Sequence, residues 1–285
     1  MKYPVFDNHV HLQRGGRFID AAIEFERKGG SSMLLVNLPP EGDPCSPDFF
    51  EIMYSEAESI RDAVVEHTGL TVLLAVGPYP VTFIEMAREE GLQAAEEKMI
   101  TGVELAAAHV LDGKADAIGE VGRPHFPVPE EIMEASNRIM TECMKSAKEA
   151  SCAVVLHTED PYPSMMSGIA DLADGAGIER GRVVKHHCTD LITPAENSGI
   201  FPSVKATREL VQSSAAKGTR FMMETDYIDD PKRPGAILGI GTVPRRTREL
   251  IESGEFDDNI AWKIHGDNPS AVYGNDRVSA RSHGR

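Results

Sequence analysis

The sequence predicts an α/β protein of the (β/α)8 TIM-barrel class, and three observations carry that expectation. Short apolar runs rich in β-branched residues alternate with longer amphipathic stretches from one end of the chain to the other. About eight such strand–helix units fit within 285 residues, which suits one closed barrel of parallel strands covered by helices. No G-x-G-x-x-G follows the first strand, which disfavours an open, dinucleotide-binding sheet.

The predicted strands, in order, are PVFDNH, SMLLVNL, TVLLAVG, DAIGEVG, AVVLHT, RVVKHH, GIFPSV and RFMMETD. Helical patterns lie between them. FIDAAIEFERKGG closes on glycines, as helix C-termini often do. SPDFFEIMYSEAESIRDAVVEHTG opens on Ser-Pro and ends at Gly69. Residues 81–113 read as one long helical stretch, and VPEEIMEASNRIMTECMKSAKEAS, VKATRELVQSSAAKG and VPRRTRELIESG supply further helices. No Pro/Gly/Ser linker and no short repeat interrupts the pattern, so one domain is expected over 1–274. Residues 275–285 are polar, basic and aperiodic, as a frayed tail would be.

Composition narrows the class. A formal net charge of −16 argues against a broad basic surface for duplex nucleic acid, although bound cations can reverse the charge of a site locally. Cys45, Cys143, Cys152 and Cys188 are widely spaced, which fits free thiols in a reducing compartment. The N-terminus lacks a signal-peptide apolar core and no run is long enough to span a bilayer, so a cytoplasmic protein is expected.

The positions of the polar residues are the most informative feature. His9 and His11, Glu120, His157, the pair His186–His187, and Asp226 all fall at the C-terminal ends of predicted strands, where barrel enzymes build their active sites. Asp7, His9 and His11 alternate and share a strand face, and two imidazoles on one face can hold a divalent cation. Barrel closure brings the last strand beside the first, which puts Asp226 near that pair. Glu120 sits among small and apolar residues, so burying it requires a cation or hydrogen-bond partners. Glu224 shares a face with Asp226 and is placed to orient a ligand. Only one of the adjacent His186 and His187 can face the interior, and alternation alone does not decide which.

These motifs, in this order, resemble the TatD-related metal-dependent hydrolases, a branch of the amidohydrolase-type barrels. FDNHVHL is similar to the family's opening F-D-x-H-x-H-L, IGEVG to its fourth-strand glutamate motif, and VVLHTED to its fifth-strand histidine. HCTD, METDY and the closing NPSAVYG match later elements, so the resemblance runs from residue 5 to about 274. It implies two divalent ions (Zn, Mn, Mg, Co or Fe), one held by His9, His11 and Asp226 and the other by His157 and His187. Glu120 bridges in that arrangement, and the H-C match selects His187 over His186. The implied activity is a phosphodiesterase or deoxyribonuclease using an activated water, with Glu120 and Asp226 as its catalytic carboxylates. Its substrate would be a small phosphoester or a single-stranded nucleic-acid end. Hydrolysis of a lactone, carboxylic ester or amide is the alternative, and a non-catalytic metal-binding barrel a distant third.

After Glu120 the chain departs from the family pattern and reads GRPHFPVPEE. Arg123 and His125 are therefore candidates to bind a substrate phosphate or carboxylate, with His186, Lys232 and Arg233 as further candidates.

Overall fold

A computed structural model describes residues 3–232, 238–274 and 278. Eleven α-helices are present among them: α1 (Ile19–Arg27), α2 (Phe49–His67), α3 (Pro80–Glu90), α4 (Leu92–Leu111), α5 (Glu130–Glu149), α6 (Pro163–Ala176), α7 (Pro194–Asn197), α8 (Arg208–Lys217), α9 (Thr242–Glu252), α10 (Asp258–Trp262) and α11 (Asn268–Tyr273), with a 3-10 turn at Arg180–Arg182 and a π-helical turn at Lys263–Asp267. The strands are β1 (Phe6–His11), β2 (Ser32–Val36), β3 (Thr71–Val76), β4 (Ala117–Gly122), β5 (Ala153–His157), β6 (Val183–Cys188), β7 (Phe201–Lys205), β8 (Met222–Glu224) and β9 (Tyr227–Ile228). All pair in parallel, in the order β8-β7-β6-β5-β4-β3-β2-β1-β9. β8 and β9 are two pieces of one eighth strand broken at Thr225–Asp226. β8 pairs with β7 and β9 with β1, so the sheet closes into the (β/α)8 barrel.

Alternation along the strands sorts side chains into two cores. Phe6, Leu34, Val36, Leu73, Ala75, Ala117, Ala153, Val155, Val184, Phe201 and Met222 fill the barrel interior. The intervening residues, Met33, Leu35, Val72, Leu74, Ile118 and Val154 among them, pack outward against the helices. Burying each large apolar side chain contributes about 1.5–3 kcal/mol.

The chain end plugs the bottom. Asn268 donates to the carbonyls of Thr219 (2.6 Å) and Phe221 (2.8 Å), just ahead of β8, and the Tyr273 hydroxyl donates to Asn8 Oδ1 at 2.7 Å. The NPSAVYG motif is thus a structural clasp. Of the tail expected to fray over 275–285, all but Val278 lies outside the described residues, and Val278 is buried with the interior cluster. The four cysteines are free. No described helix is long and apolar enough to cross a membrane.

The long helical stretch over 81–113 is two helices, divided at Gly91 with φ 89°. A residue with a Cβ resists that conformation, so the chain turns there in spite of the continuous periodicity.

Candidate active site

At the upper end of β1 the pairing shifts between Asp7 and Val10. Val10 packs outward, and His9 and His11 turn into the barrel with Nε2 atoms 3.1 Å apart. Their neighbour Asp7 is fully buried and ties the broken eighth strand to β1: its carboxylate accepts from Thr225 N (2.9 Å), Thr225 Oγ1 (2.7 Å) and His9 N (3.3 Å). His11 Nδ1 meets the Val36 carbonyl at 3.1 Å, which leaves Nε2 for the site. Burial pulls the His11 pKa down to about 3, so the ring is neutral, the form a metal requires.

Glu120 stands at the centre. Its register on β4 shifts between Gly119 and Val121, and the Gly119–Glu120 peptide is cis. Both flanking glycines are required by close approach. A Cβ on Gly119 would lie 2.7 Å from Val155 Cβ, and one on Gly122 only 2.1 Å from the His157 carbonyl oxygen. The two carboxylate oxygens of Glu120 face different partners. Oε2 lies 3.8 Å from His9 Nε2 and 3.9 Å from His11 Nε2, whereas Oε1 contacts His157 Nδ1 and lies 3.3 Å from His186 Nε2. Burial alone would raise its pKa, yet His157 and hydrogen bonds from His186 and His9 hold it well below the ordinary glutamate range.

Asp226, at φ 52° in the break of the eighth strand, completes the first side with Oδ1 3.9 Å from His11 Nε2. Burial raises its pKa. Two groups of donor atoms lie close enough to share one cation: His9, His11 and Asp226, and His9, Glu120 and His186. His9 Nδ1 is buried without a hydrogen bond. Imidazoles and buried carboxylates converging on one spot fit a divalent cation.

The structure brings His186, and not the expected His187, beside Glu120. Val184 points into the barrel interior, so His186, two residues on, points the same way and stacks on His9 with ring centroids 3.8 Å apart. His187 is turned aside. Its backbone is left-handed at φ 55°, its N–H donates to Glu224 Oε1 at 2.7 Å, and its ring lies on the cavity wall beyond His186. Glu224 is completely buried; it also accepts from Ser203 Oγ and lies 3.1 Å from His186 Nδ1, which fixes that ring.

The substrate-side candidates divide. Arg123 does not line the cavity. It is held bidentately by Glu159 (2.8 and 2.7 Å) and by Asn137 (2.9 Å), and so pins the loop after β4 to the end of β5. His125 does line it, with Nδ1 2.7 Å from His157 Nε2. Lys232 sits at the rim, 84% exposed and 3.4 Å from Glu41. Arg233 lies outside the described residues. The whole forms a cavity of about 1100 Å³ at the strand ends. Its wall also carries Gln13, Tyr79, Lys205 and Thr207, none of which the sequence pattern singled out. Lys205 was within reach of it: the seventh strand runs one residue past the expected GIFPSV, and alternation from Phe201 through Ser203 leads to Lys205.

A parallel barrel whose strand ends converge on histidines and carboxylates is the architecture of a metal-dependent hydrolase of the amidohydrolase type. The chain belongs to the TatD related DNase family, whose model matches residues 6–274. It is 36% identical over 273 residues to an uncharacterized protein of Methanocaldococcus jannaschii, covering 95% of each chain. Among solved structures, the TatD homolog YJJV of Escherichia coli superposes with a TM-score of 0.65 at 18% identity, over 96% of this chain and 100% of that one. The phosphotriesterase homology protein of E. coli, solved with phosphate in its active site, also gives 0.65, at 13% identity over 96% and 99%. An organophosphorus hydrolase mutant from Deinococcus radiodurans gives 0.58 at 16% identity, over 95% and 93%. At these identities the superpositions establish the shared fold.

Proposed function

We propose that the protein hydrolyses phosphoester bonds with the help of two divalent cations. The observation that carries this reading is the division of Glu120: one oxygen faces His9 and His11, the other His157 and His186. Asp226 would complete the first set of ligands. The second set would take His186 in place of His187. Such ions, when bound, supply Lewis acidity toward water and toward the scissile group.

The protein's own groups do the rest. Asp226, at the cavity floor with its pKa raised by burial, takes the proton of the attacking water and returns it to the leaving oxygen. Glu224 and His125 hold the rings of His186 and His157 in orientation. The family's description and the phosphate in the E. coli homology protein's site support a phosphoester over other bonds. The chain's charge of −16 and the acidic rim residues Glu41, Asp160 and Asp230 favour a small phosphoester or a single-strand end over duplex DNA.

The test is a metal-reconstituted assay on bis-aryl phosphates, single-stranded DNA, lactones and amides. The expected outcome is turnover on the phosphoesters that falls at least 1000-fold in His9→Ala and Asp226→Asn. Turnover confined to lactones or amides, or none on any substrate, overturns the reading.

A further inference from the structure

We infer that the β7 wall of the cavity is an anion subsite, built by Lys205 with His187 and Thr207, which binds an oxyanion group of the substrate (phosphoryl or carboxylate) distinct from the bond cleaved. The inference rests on the proposed hydrolytic reading of the same cavity and adds the substrate's charge to it.

Lys205 is the last residue of β7, and its position follows from the strand below it. Phe201 lies in the barrel interior and Ser203 reaches the buried Glu224, so Lys205 is the next inward residue toward the mouth. It pairs in register with Glu224, but that carboxylate is occupied by Ser203 Oγ, His187 N and His186. Among the described residues Lys205 has no ion-pair or side-chain hydrogen-bond partner, in contrast to Lys232, the other lysine on the cavity wall, which meets Glu41. In a chain with 45 acidic and 29 basic residues, a half-buried lysine on a cavity wall without a carboxylate is a conspicuous exception.

Two neighbours can add hydrogen bonds to its charge. His187 lines the same wall, and its Nε2 is buried without a hydrogen-bond partner among the described residues. Thr207, also on the wall, caps α8 by accepting from Leu210 N, so the N-terminus of this ten-residue helix opens on the same side. The unmet ammonium, the unmet imidazole nitrogen and the helix end therefore point to one ligand chemistry. The acidic lining residues Glu41, Asp160 and Asp230, in the loops after β2, β5 and β9, disfavour a second anion elsewhere in the cavity. A substrate with a single extra anionic group is what this distribution of charge selects.

The experiment uses the metal-loaded protein and two readouts. The first compares aryl phosphodiesters that differ only in a distal carboxylate or its carboxamide. Wild type is expected to favour the charged member by about tenfold or more in kcat/KM, the ratio falling to near one in Lys205→Gln and largely recovering in Lys205→Arg. The second is calorimetric binding of inorganic phosphate and of succinate, which needs no turnover. Affinity is expected to drop about tenfold in Lys205→Gln at unchanged metal content; tighter phosphate than succinate identifies a phosphoryl group, the reverse a carboxylate. A charged-to-neutral ratio and anion affinities that Lys205→Gln leaves unaltered overturn the subsite, whether or not turnover is seen. Loss of anion affinity without turnover on any substrate upholds the subsite and overturns the hydrolytic reading.

Discussion

Burial disfavours the charged form of His186, but Glu224 at 3.1 Å and Glu120 at 3.3 Å more than offset it and push the imidazole up to about 10. At pH 7 the metal-free ring is therefore protonated, and its Nε2 can accept a cation only by giving up a proton. His11, held near 3, has none to give. Metal uptake at pH 7 should accordingly release about one proton from His186. Titrating zinc calorimetrically in buffers of different ionisation enthalpy measures this as a slope. Glu224→Gln removes the carboxylate that sustains the shift, so it should reduce the slope and weaken metal binding about 10–100-fold. A slope of zero in the wild type sinks this account. The same residue shows where the sequence falls silent. The H-x-H pair, Glu120, His157 and Asp226 are legible as strand-end residues. His186 is not separable from His187, because Val183 and Val184 are equally apolar and neither marks the inward face. Nor does the sequence show that Glu159 and Asn137 occupy Arg123, since that pairing spans a helix and a loop.

At the scale of elements, two glycines with positive φ test how backbone packing builds the site. Gly122 (φ 141°) leaves no room, with the His157 carbonyl 2.1 Å from where a Cβ would be. Gly91, between α3 and α4, has φ 89° and open space around it. Gly91→Ala should therefore cost only backbone strain, about 1–2 kcal/mol in urea unfolding. Gly122→Ala should cost at least about 3 kcal/mol and lower metal content, because relieving the overlap displaces β5 at His157. Equal costs for the two would refute the distinction. Seven of the expected strands end within about two residues of the structure's, because two-fold alternation with β-branched residues is a local signal. The eighth breaks at Thr225–Asp226 because the site, not local preference, sets the backbone there. Helix α6 escaped prediction for a related reason: PSMMSGIADLADGA carries two interior glycines that dilute its helical pattern, and packing against the barrel supplies what propensity does not.

For the whole molecule, the closing seam of the barrel joins residues far apart in sequence, and its stability should depend on pH through one buried imidazole. His265 lies between α10 and α11, completely buried, with Nδ1 3.2 Å from the backbone of Phe6 at the start of β1 and Nε2 2.8 Å from Thr247 Oγ1 on α9. It thus links the first strand to the last helices. Burial lowers its pKa from 6.5 to about 4, so the folded protein keeps it neutral. The unfolded chain binds that proton first as pH falls, which makes the contribution complete above about pH 6.5 and progressively lost toward pH 4. A shift of this size corresponds to roughly 3 kcal/mol across that interval. His265→Gln has no group to titrate there. Urea unfolding of both proteins at pH 7.5, 6, 5 and 4.5 should therefore show the stability difference between them shrinking, or reversing in favour of the variant, as the solution is acidified. Comparing the two cancels the titrations of the active site, which both share. Parallel stability curves would mean that His265 does not titrate on unfolding, and that the seam owes its pH dependence to other groups.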